Sequence, residues 1–148
     1  MKILRIYIEN SVIGGYFDTI FEEATKKLFE KFRNGEYHAV ISTHTYAELD
    51  NGAPDIIKSN LETISYEKID VTETMMDLSQ KYMDENIIGE QYRSDALHIA
   101  IAIISGVDVL VSWNFKHIVN LNKIKLFNSI NLKEGYNLLE IRTPSEVL

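Results

Sequence analysis

Cysteine is absent from this chain of 148 residues. No disulfide scaffold or thiolate zinc site can form, and the composition suits a reducing compartment, so a cytoplasmic protein is expected. Proline occurs only at Pro54 and Pro144, and no Pro/Gly-rich linker, internal repeat or low-complexity tract divides the sequence. No apolar run reaches the ~18 residues that a membrane-spanning helix needs. The start, Met1-Lys2-Ile3-Leu4-Arg5, is too short and too soon polar for a signal peptide. Neither a P-loop nor a Gly-x-Ser-x-Gly elbow occurs, and Gly14-Gly15 lacks the spacing of a dinucleotide fingerprint.

What is present is an ordinary globular composition, 45% hydrophobic and 25% charged. One domain, residues 1–148, is expected, since a chain of this length buries roughly 70% of its unfolded surface. The formal charge is −7, which speaks against a simple basic nucleic-acid face. The total hides a pattern. Residues 1–47 hold six basic and six acidic side chains, residues 48–95 four and twelve, and residues 96–148 five and four. From Lys116 to Lys133 there are four lysines and no acid. The net acidity therefore lies in the middle third and does not forbid an anionic partner elsewhere.

Hydrophobic periodicity orders the elements. Residues 3–8 read as a strand, followed by a turn and restart through Glu9-Asn10-Ser11 and Gly14-Gly15. A helix is expected over 19–32, with Thr19 and Glu22 as a capping box. Residues 37–42 form a strand, and Ser42 or Thr43 then caps a short helix that carries Glu48 and stops at Asn51-Gly52. A further helical turn at 56–61, a strand within 63–71 and a helix over 72–85 follow. Ser94 is positioned to cap a helix over 95–105 that is apolar almost all round and must be buried. A short apolar strand at 108–112, a helix around 120–131 and a strand near 138–141 complete the chain. Strands alternate with helices, which predicts an α/β protein with a mainly parallel sheet.

Ligands of such sheets sit beyond the carboxyl ends of the strands. Glu9 follows the first strand, Glu48 lies on the helix after the second, and Asp95 starts the helix that feeds the fourth. Ser112, Trp113 and Asn114 follow that fourth strand. Grouped carboxylates repel one another, and a hard divalent cation such as Mg²⁺ or Mn²⁺ relieves the repulsion, polarises a phosphate oxygen and activates a water. A competing set is His44, Glu48, Asp95 and His98, which suits a transition metal, although His98 on so apolar a helix better fits a core histidine with a hydrogen-bonded ring. Trp113 could stack on a base or pack at the sheet edge.

The stretch from Ile6 to Phe17, the stretch from Ser42 to Leu49, and Ser94-Asp95-Ala96-Leu97-His98-Ile99-Ala100 followed by Val109-Leu110-Val111-Ser112-Trp113-Asn114-Phe115 resemble the motifs of PIN-domain nucleases. The resemblance implies a three-layer α/β/α sandwich with a central, mainly parallel sheet, and Mg²⁺- or Mn²⁺-dependent cleavage of RNA. Many members of this size are VapC-type toxins of toxin–antitoxin pairs, so an antitoxin partner and a homodimer are implied as well. It makes Glu9, Glu48 and Asp95 metal ligands, places Asn114 at the fourth catalytic position and Ser11 at the small polar position after the first acid. Arg93 and Lys116 could hold substrate phosphates or be solvated charges. Two departures stand out: Glu9 and Asn114 where the family commonly has Asp. The alternative is a catalytically degenerate PIN domain that binds RNA or protein without cutting.

Overall fold

The computed structural model describes residues 2–148. Five strands, β1 (Arg5–Ile8), β2 (His38–Ser42), β3 (Tyr66–Ile69), β4 (Val109–Val111) and β5 (Ile141–Arg142), form one sheet in the order β3-β2-β1-β4-β5. Every pairing is parallel. Helices α1 (Asn10–Gly15), α2 (Glu22–Arg33), α3 (Thr43–Asp50) and α4 (Asp55–Leu61) connect the strands on the β3 side of β1. Helices α5 (Glu73–Asp84), α6 (Arg93–Ile104) and α7 (Leu121–Lys133) provide the remaining crossovers.

The pleat divides the core in two. Ile6, Ile8, Ala39, Ile41, Val109 and Val111 pack on one face with Val12, Leu28, Phe29 and Leu61. Tyr7, Val40 and Leu110, the residues between them, pack on the other with Leu78, Tyr82, Ile99 and Phe127. Successive side chains of a strand point to opposite faces, so each strand feeds both layers and the result is a three-layer α/β/α sandwich. Each fully buried Leu, Ile or Phe contributes roughly 1.5–3 kcal/mol.

Local sequence places most elements within a few residues, and the differences have physical reasons. The turn expected after β1 is instead helix α1, because the Glu9 carboxylate accepts the Ser11 N–H and caps it. Helix α2 begins at Glu22 without a side-chain cap, rather than at Thr19. There the Asp18 carboxylate accepts the Ile20 N–H, and the turn it makes precludes the Thr19–Glu22 box. Helix α6 begins at Arg93, one residue before the expected Ser94 cap, because a 3-10 turn at Glu90–Tyr92 winds directly into it. By contrast Ser42 and Thr72 do cap α3 and α5, each within a capping box.

Candidate active site

All five strands run the same way, so their carboxyl ends share one edge. The chain leaves β1 toward β2 on one side and later returns to build β4 on the other, which makes the gap between β1 and β4 the topological switch point. Ile8 pairs with Val111 across it, and Glu9 therefore stands beside Ser112. Glu9 is only 4% exposed. Its Oε2 accepts the Ser11 N–H at 3.0 Å, and its Oε1 accepts hydroxyl protons from Ser112 at 2.7 Å and from Ser11. The Ser11 oxygen in turn accepts the Trp113 N–H at 2.9 Å, and the Ser112 oxygen accepts the Asn114 N–H at 2.9 Å. A carboxylate offers about four lone-pair positions, so these donors leave Oε2 one position for a ligand.

Asp95 lies in the first turn of α6. The Asn114 amide donates to its Oδ2 at 3.2 Å. The Asn114 oxygen is turned away, accepting the N–H groups of Lys116 at 3.2 Å and His117 at 2.9 Å. Burial first, then the negative charge of Glu9 and to a lesser degree of Glu48, push Asp95 up to about 6, against the opposing pull of His98 and Asn114. This is the crowding of acids that a divalent cation relieves.

Glu48 is held differently. The His98 ring donates from Nε2 to Glu48 Oε1 at 2.5 Å, the Ser94 hydroxyl donates to Oε2 at 2.8 Å, and His44 Nε2 lies 3.7 Å from Oε1. On the far side of its ring, His98 Nδ1 meets the Tyr7 hydroxyl at 2.7 Å, and that hydroxyl meets the Ser42 hydroxyl at 2.8 Å. Burial opposes the His98 cation, but the Tyr7 oxygen and the Glu48 carboxylate outweigh it and push the ring up to about 10. Burial and the neighbouring His98 hold His44 below its ordinary value. His98 is thus the core histidine with a hydrogen-bonded ring, 1% exposed. Ser94, which with His98 donates to Glu48, spends its hydroxyl there rather than on a helix cap.

Among the described residues, one group of three ligand-type side chains has its ligand atoms all within 4.8 Å of one another: His44, Glu48 and His98. Asp95 does not join that set. Nor do Glu9, Glu48 and Asp95 form a second such set with their side chains as they stand; Glu9, Asp95 and Asn114 sit at the β1–β4 gap, whereas Glu48 is turned to His98.

No protein-family model matches the chain, and no curated protein matches it in sequence. The fold has a counterpart. A chain in the crystal structure of VapBC2 from Rickettsia felis, bound to a DNA fragment from their promoter, superposes with a TM-score of 0.56 at 18% identity. The match covers 93% of this chain and 98% of that one. At this identity the likeness establishes the shared fold.

The remaining expected residues fall around this centre. Ser11 braces the Glu9 carboxylate from within the protein. Arg93 is exposed and pairs with Glu90. Lys116 is exposed, with its Nζ 5.9 Å from the centre of the Tyr92 ring. Trp113 packs at the sheet edge: its ring stacks on Phe21 at 4.4 Å and its Nε1 donates to Thr25 at 2.9 Å. Sequence reasoning assigned no site role to Tyr7 or Ser112. Ser112 stands among the residues singled out after the fourth strand, but nothing local shows that its hydroxyl serves Glu9. Tyr7 gave no local signal, being one apolar-looking residue in a strand. No helix among the described residues is long and apolar enough to cross a membrane.

Proposed function

We propose that this protein is a Mg²⁺- or Mn²⁺-dependent endoribonuclease of the PIN type, acting as the toxin of a toxin–antitoxin pair. The observation that carries the reading is the hydrogen-bonded path at the switch point from Glu9 through Ser112 at 2.7 Å and Asn114 at 2.9 Å to Asp95 at 3.2 Å, which gathers two acids at one edge of the sheet. The donor set fits a hard cation: carboxylate oxygens with one Glu9 position free, and repulsion that the cation removes. Glu9 and Asp95 would hold the ion, with Glu48 turning from His98 to complete the set. When bound, the ion polarises a phosphate oxygen and activates a water. Ser11 and Ser112 fix the Glu9 carboxylate, so little reorganisation is needed at the moment of reaction. Asn114 orients Asp95 through its amide and would hold the attacking water through its second amide hydrogen. Arg93 and Lys116 stand at the exposed rim, where a guanidinium and an ammonium would grip RNA phosphates and position the strand. The likeness of fold to VapBC2 supports an antitoxin-like protein partner, and a homodimer in the cytoplasm is part of the same reading.

One observation favours a second reading, a degenerate PIN domain that binds without cutting. Asn114 supplies an amide where the resemblance expects an acid, and its oxygen is committed to backbone N–H groups.

Cleavage of RNA by the purified chain in Mn²⁺ separates the two. Asp95→Asn should lower the rate by about a hundredfold or more, the usual scale for loss of a charge-stabilising group. Unchanged cleavage by Asp95→Asn overturns the site assignment. RNA binding without cleavage by the wild-type chain, in either Mg²⁺ or Mn²⁺, selects the second reading.

A further inference from the structure

We propose that His44, Glu48 and His98 form a separate metal site of the zinc class, at the end of β2 beside the Glu9–Asp95 carboxylates. The site stands on its own geometry; only its consequence for cleavage rests on the nuclease reading.

The donor set decides the class of ion. Two imidazole nitrogens and one carboxylate oxygen suit Zn²⁺, Co²⁺ or Ni²⁺, whereas Mg²⁺ seeks oxygen alone. His44 and Glu48 are four residues apart on α3 and therefore share a face. Helix α6 brings His98 against them, with the His44 and His98 ring centres 4.6 Å apart.

Two of the three ligands are already oriented by partners behind them. Tyr7 fixes the His98 ring through Nδ1 at 2.7 Å and leaves Nε2 facing Glu48. Ser94 holds the second oxygen of Glu48 at 2.8 Å. Such outer partners set ligand orientation and basicity in metal sites. The third ligand faces solvent: the His44 and Glu48 side chains are 18% and 33% exposed, and a cleft of about 410 Å³ opens beside His44 and Ser94. An ion has a way in, and a fourth coordination position remains for water.

The required movement is small. Bonds of ~2.0–2.1 Å in a four-coordinate site set ligand atoms roughly 3.3 Å apart. Glu48 Oε1 lies 2.5 Å from His98 Nε2 and 3.7 Å from His44 Nε2. A shift of Glu48 Oε1 by about an ångström evens these two distances, and all three ligand atoms already lie within 4.8 Å of one another. The His44 Nε2, which now donates its proton to the Ser94 oxygen at 2.8 Å, gives that proton up as the ring takes its neutral form protonated on Nδ1, and the freed nitrogen turns toward the ion. The ion takes the place of the proton shared by His98 and Glu48, which leaves to solvent. Glu48 cannot serve this ion and the carboxylate centre together, so zinc occupancy would withdraw a ligand from the proposed nuclease site.

Co²⁺ titration of the metal-stripped full chain tests the site without any RNA. The expected result is one Co²⁺ per chain with the visible absorption of a four-coordinate ion, abolished by Zn²⁺ and untouched by Mg²⁺. Asp95→Asn should keep that band. His44→Ala, with its fold checked by circular dichroism, should lose the band and at least about tenfold in affinity; His44→Gln serves if the alanine variant does not fold. The absence of a band in the wild type overturns the proposal. So does a band that survives loss of the His44 ring, or one that disappears in Asp95→Asn. Failure to cleave RNA bears on the nuclease reading alone.

Discussion

Tyr7 and His98 are bonded across the sheet–helix interface, hydroxyl to Nδ1 at 2.7 Å, although 91 residues separate them. Tyr7 is fully buried and His98 nearly so, which makes this hydrogen bond a packing decision as much as a polar one. A buried ring nitrogen without a partner carries its full desolvation cost. The Tyr7 hydroxyl removes that cost and also points the other ring nitrogen at Glu48.

Tyr7→Phe should therefore destabilise the protein by about 1–3 kcal/mol, because the apolar ring is kept while the His98 Nδ1 and the Ser42 hydroxyl lose their common partner. Urea unfolding reads the difference as a lower midpoint with an unchanged slope. A midpoint within error of the wild type would show that the His98 orientation is set elsewhere.

Gly15 lies under the only tryptophan. A Cβ there would stand 2.8 Å from Trp113 Cδ1 and 2.9 Å from Nε1, with Thr25 Oγ1 at 3.1 Å. Gly15→Ala forces the indole to move and breaks its bond to Thr25, for a cost of about 1–3 kcal/mol. Trp113 precedes Asn114, so the displacement reaches the site. Intrinsic fluorescence, from a single Trp, should shift toward a more solvated emission, and any RNA cleavage should fall in parallel.

Asp95→Asn should stabilise the metal-free protein while abolishing cleavage. The substitution keeps an oxygen for the Asn114 amide and removes a charge that burial and Glu9 both disfavour. A gain on the order of 1 kcal/mol is expected, discounted for a site open to water on one side. Thermal unfolding in chelator should show the variant melting higher than the wild type. A lower melting temperature would contradict the like-charge crowding.

Asp108 supplies one acid-dependent part of stability. Burial alone would raise its pKa, but the Lys2 ammonium at 2.6 Å, the Arg5 N–H at 2.8 Å and the Arg5 charge outweigh it and hold the carboxyl below its ordinary value. The folded state then binds fewer protons than the unfolded one, so the contribution is present above the unfolded pKa of about 3.9 and is lost as pH falls through the lower folded value. Wild type should exceed Asp108→Asn by about 1 kcal/mol at pH 7, and the gap should close on acidification below about pH 4. Unfolding curves for both proteins at several pH values check this; a gap constant with pH would rule out the carboxylate's role.

Local sequence is most legible where one residue decides its own neighbourhood. Ser42 and Thr72 cap their helices because the acceptor and the N–H it takes are three residues apart. The continuous apolar runs of β1, β2 and β4 report strands buried on both faces. Ser94 was misleading for the converse reason: its hydroxyl is as suited to a cap, but Glu48, 46 residues earlier, competes for it once α3 and α6 pack together. The Gly14-Gly15 pair was misleading too. Gly15 is required by the close approach of Trp113, a distant side chain, rather than by a turn of its own.

By itself, then, the sequence determined an alternation of strands and helices, a buried α6, one acid just past the first strand and two more on the helices α3 and α6. Those follow from propensity, periodicity and spacing along the chain. The tertiary structure alone decided that β1 lies between β2 and β4, and hence that Glu9 meets Ser112 and feels Asp95. It also decided that Glu48 turns to His98 and His44 instead of to the other acids. Sheet order and side-chain pairing depend on which surfaces bury each other at long range, and a buried imidazole on α6 finds its partners only when the sheet and both helices have closed around it.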